Sequence, residues 1–373
     1  MMMDICQVGV CTGCSGCDAA CPVGAIEMAQ NEKGFYRPRI DEGVCLDCGK
    51  CREICPANQE SQAVVENQEV FAAWSRQEEI RLASSSGGVF SHLAEQVLEA
   101  GGVVFGGSFL KDFTIDHCGI ETVDDLARLR GSKYVQSRMG ENFKKVKSFL
   151  TCGRQVLFAG TPCQIAGLKK ILTASERENL LLVDLVCHGA ASPKLYRDYL
   201  NYQADLRQDR IVQVSFRSKP EGWKNFGMSL TFEKSENYFA DVLTDPYLVG
   251  FLKNYFLNDS CYRCQFANTN RQGDVTIADF WGYQEEKDFL DDDRGITLVI
   301  TNTPKGRAHY EVIRKKVIDL PKTLVEAAAG NGALNRPTFK NRRYEEFWQD
   351  YENEKFSFLI EKYFAPRGKQ KKD

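Results

Sequence analysis

This chain has no long hydrophobic run, no excess of charge of one sign, few prolines and very few histidines. Its strongest apolar stretches, Val156–Phe158 and Leu180–Val186, fall far short of the roughly 20 residues a membrane helix needs, so no membrane span is expected. Lys plus Arg number 48 against 51 Asp plus Glu, a formal charge of −3. That balance gives no global attraction for nucleic acid or an anionic membrane. The start, Met1 to Cys6, lacks the basic region and apolar core of a signal peptide, and a cytoplasmic protein is expected. With 11 Pro and 43% apolar residues, the chain is neither mainly disordered nor collagen-like. Its 373 residues are enough for two or three domains of about 150 residues each.

What the chain does have is cysteine. There are 15 Cys against 4 His, and nine of the cysteines lie in the first 55 residues. A small secreted disulfide scaffold is not distributed in this way, which points to bound metal. Cys11, Cys14, Cys17 and Cys21 recur as Cys45, Cys48, Cys51 and Cys55, each 34 positions on, and Pro22 and Pro56 close the two runs. The spacing Cys-x2-Cys-x2-Cys-x3-Cys-Pro is that of bacterial two-cluster ferredoxins. Three thiolates on one tight loop cap three irons of a cubane, while the fourth points to the neighbouring cube. Crossing therefore assigns Cys11, Cys14, Cys17 and Cys55 to one 4Fe–4S cluster, and Cys45, Cys48, Cys51 and Cys21 to the other. Zinc usually takes two separated pairs rather than four Cys within eleven residues, so iron–sulfur is the reading.

Residues 1–58 thus read as a small α+β ferredoxin-like module, and the polar stretch 59–69 as a linker. From residue 70 the pattern is α/β, making the chain a mixed α/β protein with a larger domain over 70–305. Strands are predicted at Val70–Trp74, Val103–Phe105, Val156–Ala159 and Leu180–Val186, and a helix at Val89–Leu98. Further short strands are predicted at Val212–Phe216, Met228–Phe232, Val275–Ile277 and Thr297–Ile300. Residues 306–373 read as a helical extension with a basic tail at 367–371. The polar linker implies that the larger domain folds on its own.

Seven cysteines remain. Cys261 and Cys264 form a Cys-x2-Cys pair, and Cys163 and Cys187 each follow a strand end. Loops at the carboxyl ends of parallel strands converge on one crevice, which would bring these four together for a third 4Fe–4S cluster. Buried structural thiols or a redox-active pair fit the spacing as well. Ser84–Gly88, before a helix, suits a phosphate or a plain serine cap. Cys6, Cys118 and Cys152 are expected to be structural.

Six strings occur in order: Ser84–Gly88, Gly131–Tyr134, Gly160–Gln164, Cys187–Gly189, Cys261–Cys264 and Asp274–Gly282. Together they resemble the coenzyme F-420 hydrogenase/dehydrogenase beta-subunit family, with a two-cluster module in front. The resemblance implies a flavin-dependent oxidoreductase. Its flavin, FAD before FMN, would exchange electrons between the clusters and a small substrate, either the deazaflavin coenzyme or another organic acceptor. It implies that Ser86, Gly87, Gly88, Gly131, Ser132, Lys133, Tyr134, Gly160 and Thr161 surround the flavin. Cys163, Cys187, Cys261 and Cys264 become ligands of the third cluster, and Lys133 and His188 the catalytic pair. Lys133 would steady the reduced ring or a phosphate, and His188 would give a proton to the substrate. Asp274, Asp279 and Trp281 are either direct participants or structural. The implied partner is an external ferredoxin or another redox protein. The alternative is a non-catalytic electron-relay subunit of a larger complex.

Overall fold

The computed structural model describes residues 5–7, 9–59, 67–286 and 289–365. Most of the predicted linker and all of the basic tail lie outside the described residues. The N-terminal module is a hairpin, β1 (Ile26–Gln30) antiparallel to β2 (Tyr36–Ile40), with short helices at Gly16–Ala20 and Lys50–Glu53. Its own core is little more than Ile5, Ile26, Met28, Ile40 and the cysteines. So small a core cannot hold a fold unaided.

The body contains β3 (Glu69–Ser75), β4 (Val103–Phe109), β5 (Ile115–Ile120), β6 (Val156–Gly160) and β7 (Leu180–Leu185). It continues with β8 (Ile211–Ser218), β9 (Gly227–Phe232), β10 (Tyr238–Asp241), β11 (Val275–Asp279), β12 (Thr297–Thr301) and β13 (Val317–Lys322). Eight of these form one mixed sheet in the order β13-β3-β12-β11-β7-β6-β4-β5. The central strands β4, β6, β7 and β11 are parallel. Strands covered on both faces must be apolar on both, which is why Val156–Phe158 and Leu180–Val183 are unbroken apolar runs. Leu157, Leu181 and Val183 face the helices Val89–Glu99 and Pro304–Ile313. Val156, Phe158 and Leu182 face Asn142–Thr151 and Pro162–Ile171 on the other side.

The sheet does not stop where the sequence suggested. β13 pairs with β3 along its length, so the domain boundary expected at 305 falls inside the sheet. Pro321 disguised this strand, because proline lacks an N–H and is tolerated only where, as here, the strand lies at an edge. The helices of the C-terminal part are Pro304–Ile313 before this strand and Leu324–Gly330, Tyr344–Asn353 and Phe356–Tyr363 after it.

A three-stranded meander, β8-β9-β10, packs with the helix Pro193–Arg207 and the last two helices around an aromatic core that includes Tyr199, Phe216, Tyr247 and Phe347. The module enters that same core. Phe35, in its hairpin turn, is 0% exposed and meets Trp348 edge-on. Tyr36 N–H donates to Gln136 Oε1 at 2.9 Å, and Gln136 Nε2 donates to the Thr12 carbonyl at 3.1 Å. Arg37 donates to Asn258 Oδ1 at 2.7 Å. The module thus fills part of the body's core. No helix among the described residues is long and apolar enough to cross a membrane.

Candidate functional site

All 15 cysteines are free thiols. In the module, the 34-residue repeat carries backbone conformation as well as cysteine. Gly13 and its counterpart Asp47 have φ 72° and 49°, and Ser15 and its counterpart Gly49 have φ 66° and 71°. These left-handed residues coil each loop back on itself between ligands. The crossed set comes together: the Cys17 thiol is pushed up by burial and by its neighbours Cys14, Cys11 and Cys55. Cys6 was expected to be a structural thiol. It lies in hydrogen-bond contact with both Cys11 and Cys55. Cys21 joins Cys45, Cys48 and Cys51 in lining a cavity of about 560 Å³, with Cys45 and Cys48 exposed to solvent.

The third set is assembled by tertiary structure. Cys163 lies in the first turn of the helix after β6, Cys187 two residues past β7, and Cys261 and Cys264 on the turn Asp259–Arg263 and just after it. Burial, then Cys261, Cys163 and Cys264, push the Cys187 thiol well up. Cys163 is pushed up to about 12 by burial, with Cys264 next. A buried pair fastens the loops: Arg271 stands 3.1 Å from Asp184, both essentially without exposure. Arg271 also donates to the carbonyls of Phe266, Asn268 and Leu185, tying the segment after Cys264 to the end of β7. Among the described residues no group of three or more His, Cys, Asp or Glu could hold a single metal ion. Four sulfurs at about 2.3 Å from one zinc would nearly touch, whereas a cubane spreads its thiolates over four corners.

The first and third sets are neighbours. A Cβ on Gly167 would lie 2.9 Å from Cys14 Sγ, and one on Gly16 would meet the Gly167 backbone at 3.5 Å. Two glycines therefore let the module helix and the Cys163 helix touch.

A second cavity, of about 280 Å³, is lined by Ser84, Ser85, Arg130, Ser132, Arg217 and Lys219, with Phe109 among its walls. Gly131 also lines it. Ser85 Oγ accepts from Ser132 N–H at 2.8 Å, joining two of the expected flavin strings. Arg217 is 3% exposed and grips Asp279 through both terminal nitrogens, at 2.9 and 3.1 Å. It also donates to the Ser85 carbonyl, and its Nε has no partner among the described residues. Lys219, driven down to about 8 by burial, donates to the carbonyls of Arg81 and Arg294. Three cations, several serines and an unused guanidinium N–H fit a phosphate-bearing group. The volume is at the low end of the roughly 300–1,000 Å³ of small-molecule sites, so it suits part of a flavin nucleotide, not the whole.

Several expected flavin residues lie elsewhere. Ser86 and Gly87 turn to the sheet, Ser86 Oγ donating to the Ile296 carbonyl and Gly87 N–H to Thr297 Oγ1, while Gly88 lies against Ile80. A Cβ on Gly87 would stand 2.3 Å from the Ala73 carbonyl, so this glycine serves the loop's seat on β3. Lys133 Nζ donates to the carbonyls of Arg128, Leu129, Arg130 and Gly131, between 2.8 and 3.4 Å. Its ammonium fixes the loop that carries Gly131 and Ser132. Tyr134 is core, stacked 5.0 Å from Phe251, with its hydroxyl accepting from Arg217. Gly160 and Thr161 stand at the third set, Thr161 Oγ1 being 3.1 Å from Cys163 Sγ.

His188 follows Cys187 and bonds through Nε2 to Asn254 Oδ1 at 2.7 Å. Asn254 gives its Nδ2 hydrogens toward the Phe339 carbonyl, so the imidazole Nε2 is the donor. Asp274 accepts from Leu182 N–H and Thr303 Oγ1, a structural place. Asp279 holds Arg217 and accepts from Trp223 Nε1 at 2.8 Å, while Trp281 stacks on Trp223 at 4.5 Å. Sequence reasoning missed Arg130, Arg217 and Lys219. The only signal for Arg217 and Lys219 was a pair of basic residues at a strand end, with no spacing rule to mark it, and Arg130 had none.

The geometry agrees with what comparison shows. No curated protein matches the chain. A chain of the F420-reducing [NiFe] hydrogenase complex from Methanosarcina barkeri shares the fold, with a TM-score of 0.50 and 15% identity, over 76% of this chain and 99% of that one. The 4Fe-4S dicluster domain matches residues 10–59. The N-terminal part of the coenzyme F420 hydrogenase/dehydrogenase beta subunit matches 70–143, and its C-terminal part matches 153–323, running past β13's pairing with β3. The chain therefore belongs to the coenzyme F420 hydrogenase/dehydrogenase beta-subunit family and carries a 4Fe-4S dicluster domain ahead of it.

Proposed function

We propose that this chain is an iron–sulfur flavoprotein oxidoreductase that passes electrons between a redox partner protein and a small organic substrate. The observation that carries the reading is one short segment. Residues 131–137 run from the cationic cavity at Ser132, past Gln136, which bonds Thr12 and Tyr36 of the module, to Ser137, which accepts from Gln164 beside Cys163. In this reading Cys11, Cys14, Cys17 and Cys55 hold one module cluster, and Cys21, Cys45, Cys48 and Cys51 the other. Cys163, Cys187, Cys261 and Cys264 hold a third. Ser85, Ser132, Arg130, Arg217 and Lys219 take the phosphates of a flavin, FAD before FMN. Bound clusters supply single-electron transfer, and a bound flavin joins it to two-electron chemistry.

The chain's own residues orient and shield. Asp279 holds the Arg217 guanidinium in place, and Lys133 holds the loop that offers Ser132. Asn254 fixes the His188 ring beside Cys187. The exposed thiols Cys45 and Cys48 face outward, which suits a ferredoxin-like partner. The substrate is a small organic acceptor, the deazaflavin of the matched hydrogenase complex being one candidate.

Anaerobically purified protein should release one flavin and hold about 12 irons per chain, four for each cluster. Arg217→Ala should lose flavin and keep its iron. A wild-type preparation with about eight irons and no flavin would overturn the reading and leave a two-cluster relay.

A further inference from the structure

A hydrogen-bonded chain runs from the sheet to the third cysteine set, and its first member fixes its direction. The Ala159 carbonyl, which can only accept, lies 3.2 Å from His117 Nε2. His117 is buried, and burial drives its pKa down to about 4, so the ring is neutral. Nε2 then carries the hydrogen and Nδ1 accepts. Ser137 Oγ, 2.9 Å from Nδ1, donates there and receives the Gln164 Nε2 hydrogen at 2.9 Å. Gln164 Oε1 is thereby turned to Thr161, whose backbone N–H it accepts at 2.9 Å.

Thr161 stands at the N-cap of its helix in a capping-box arrangement with Gln164. Its hydroxyl hydrogen has two acceptors within reach, Gln164 Oε1 at 3.1 Å and Cys163 Sγ at 3.1 Å. Oε1 already receives the Thr161 N–H. The hydroxyl can therefore turn to the sulfur and leave no carbonyl unsatisfied.

We propose that Thr161 is a positioning residue that sets the reduction potential of the cluster at the third cysteine set, its hydroxyl donating to the Cys163 thiolate from an orientation held by Gln164, Ser137 and His117. The inference rests on the reading above, in which Cys163 is a ligand. One arriving electron adds one negative charge to the cluster and its sulfurs. A donor aimed at a ligand sulfur favours that reduced state and raises the potential. Cys261 takes the Ala190 backbone N–H at 3.3 Å, a bond that side-chain substitution leaves in place. The Thr161 bond is removed by one.

The test is an EPR-monitored redox titration of the full-length holoprotein. The relevant centre is the one missing from Cys264→Ser. Thr161→Val should move that centre alone to a more negative potential, and Thr161→Ser should restore it. Ser137→Ala, which leaves the helix cap intact, should give a smaller shift of the same sign. A Thr161→Val protein with full iron and an unmoved potential overturns the proposal. If Thr161→Val does not fold, an unmoved potential in Ser137→Ala overturns it equally. A shift in the first variant without one in the second overturns the role of the chain. Iron content separates this from the underlying reading: about eight irons in the wild type removes the third cluster itself, whereas about 12 with an unmoved potential removes only the role of Thr161.

Discussion

The module and the body build thiol sites in opposite ways. In the module, eight cysteines sit in two short loops whose left-handed residues at 13, 15, 47 and 49 shape each loop locally. In the body, four cysteines separated by up to about a hundred positions meet because β6, β7 and the turn after the helix Pro246–Leu252 end at one place. The module's site is written into the chain but has almost no apolar support. The body's site has no local signature beyond one Cys-x2-Cys pair, yet it lies within a large core. Local geometry and core stability are thus supplied by different regions, and Phe35 joins them by lending a module residue to the body's core.

The sharpest way to break this comparison is to remove one ligand from each region. Cys264→Ser should lose about four irons and leave the module's pair, and Cys48→Ala should lose about four and leave the body's, read by iron content and EPR. Loss of all iron from either variant would mean that the sites are not separately built.

Arg217→Ala asks how much the cavity depends on one buried pair. It strands Asp279, 14% exposed, against Trp223 without its direct ion-pair partner. Removing one partner of a buried pair costs about 3–5 kcal/mol, to be read as a lowered denaturation midpoint. A midpoint equal to the wild type would show that solvent already reaches Asp279.

Gly167→Ala tests the seam between the two regions. Its Cβ would press on Cys14 Sγ at 2.9 Å, so the helices must part. Overpacking of this kind costs about 1–3 kcal/mol, and reduction of the body's cluster through the module should slow. Unchanged kinetics with a lowered midpoint would place the electron path elsewhere.

The smallest expected effect is a pH dependence confined to the body. His117 has its pKa lowered from 6.5 to about 4 by burial. The unfolded chain therefore binds the proton first as pH falls, so stability is full above about 6.5 and is lost on the way down to 4. Between pH 7 and pH 5 the loss is about 2 kcal/mol. His117→Phe should flatten that slope by the same amount in denaturant midpoints measured at both values; an unchanged slope would mean that another group titrates there.

Where the sequence was readable, the reason was local chemistry. The ferredoxin spacing and the apolar runs of β6 and β7 act over a few residues, and the dicluster match over 10–59 and the parallel pairing of β6 with β7 lie where those signals pointed. Gly87 shows the limit: it sits in a loop of the right type, but its lack of a side chain answers to Ala73 on a distant strand. Lys133 shows another. A lysine between a serine and a tyrosine looks free to meet a ligand, and only the fold reveals that its ammonium closes four carbonyls of its own loop. Arg217 could not be found from its neighbours, because its value comes from Asp279, 62 positions later.

The sequence by itself determined the thiol repeat, the parallel heart of the sheet and the order of the strings that mark the family. These depend on ligand spacing and on apolar runs, which are properties of neighbouring residues. Tertiary structure decided that the last strand belongs to the sheet, that the module shares the body's core, and that Arg130, Arg217 and Lys219 gather at one cavity. It also decided that Thr161 stands against Cys163 at the end of a directed hydrogen-bond chain. Those outcomes depend on which surfaces are buried together, and burial is settled only when distant segments pack.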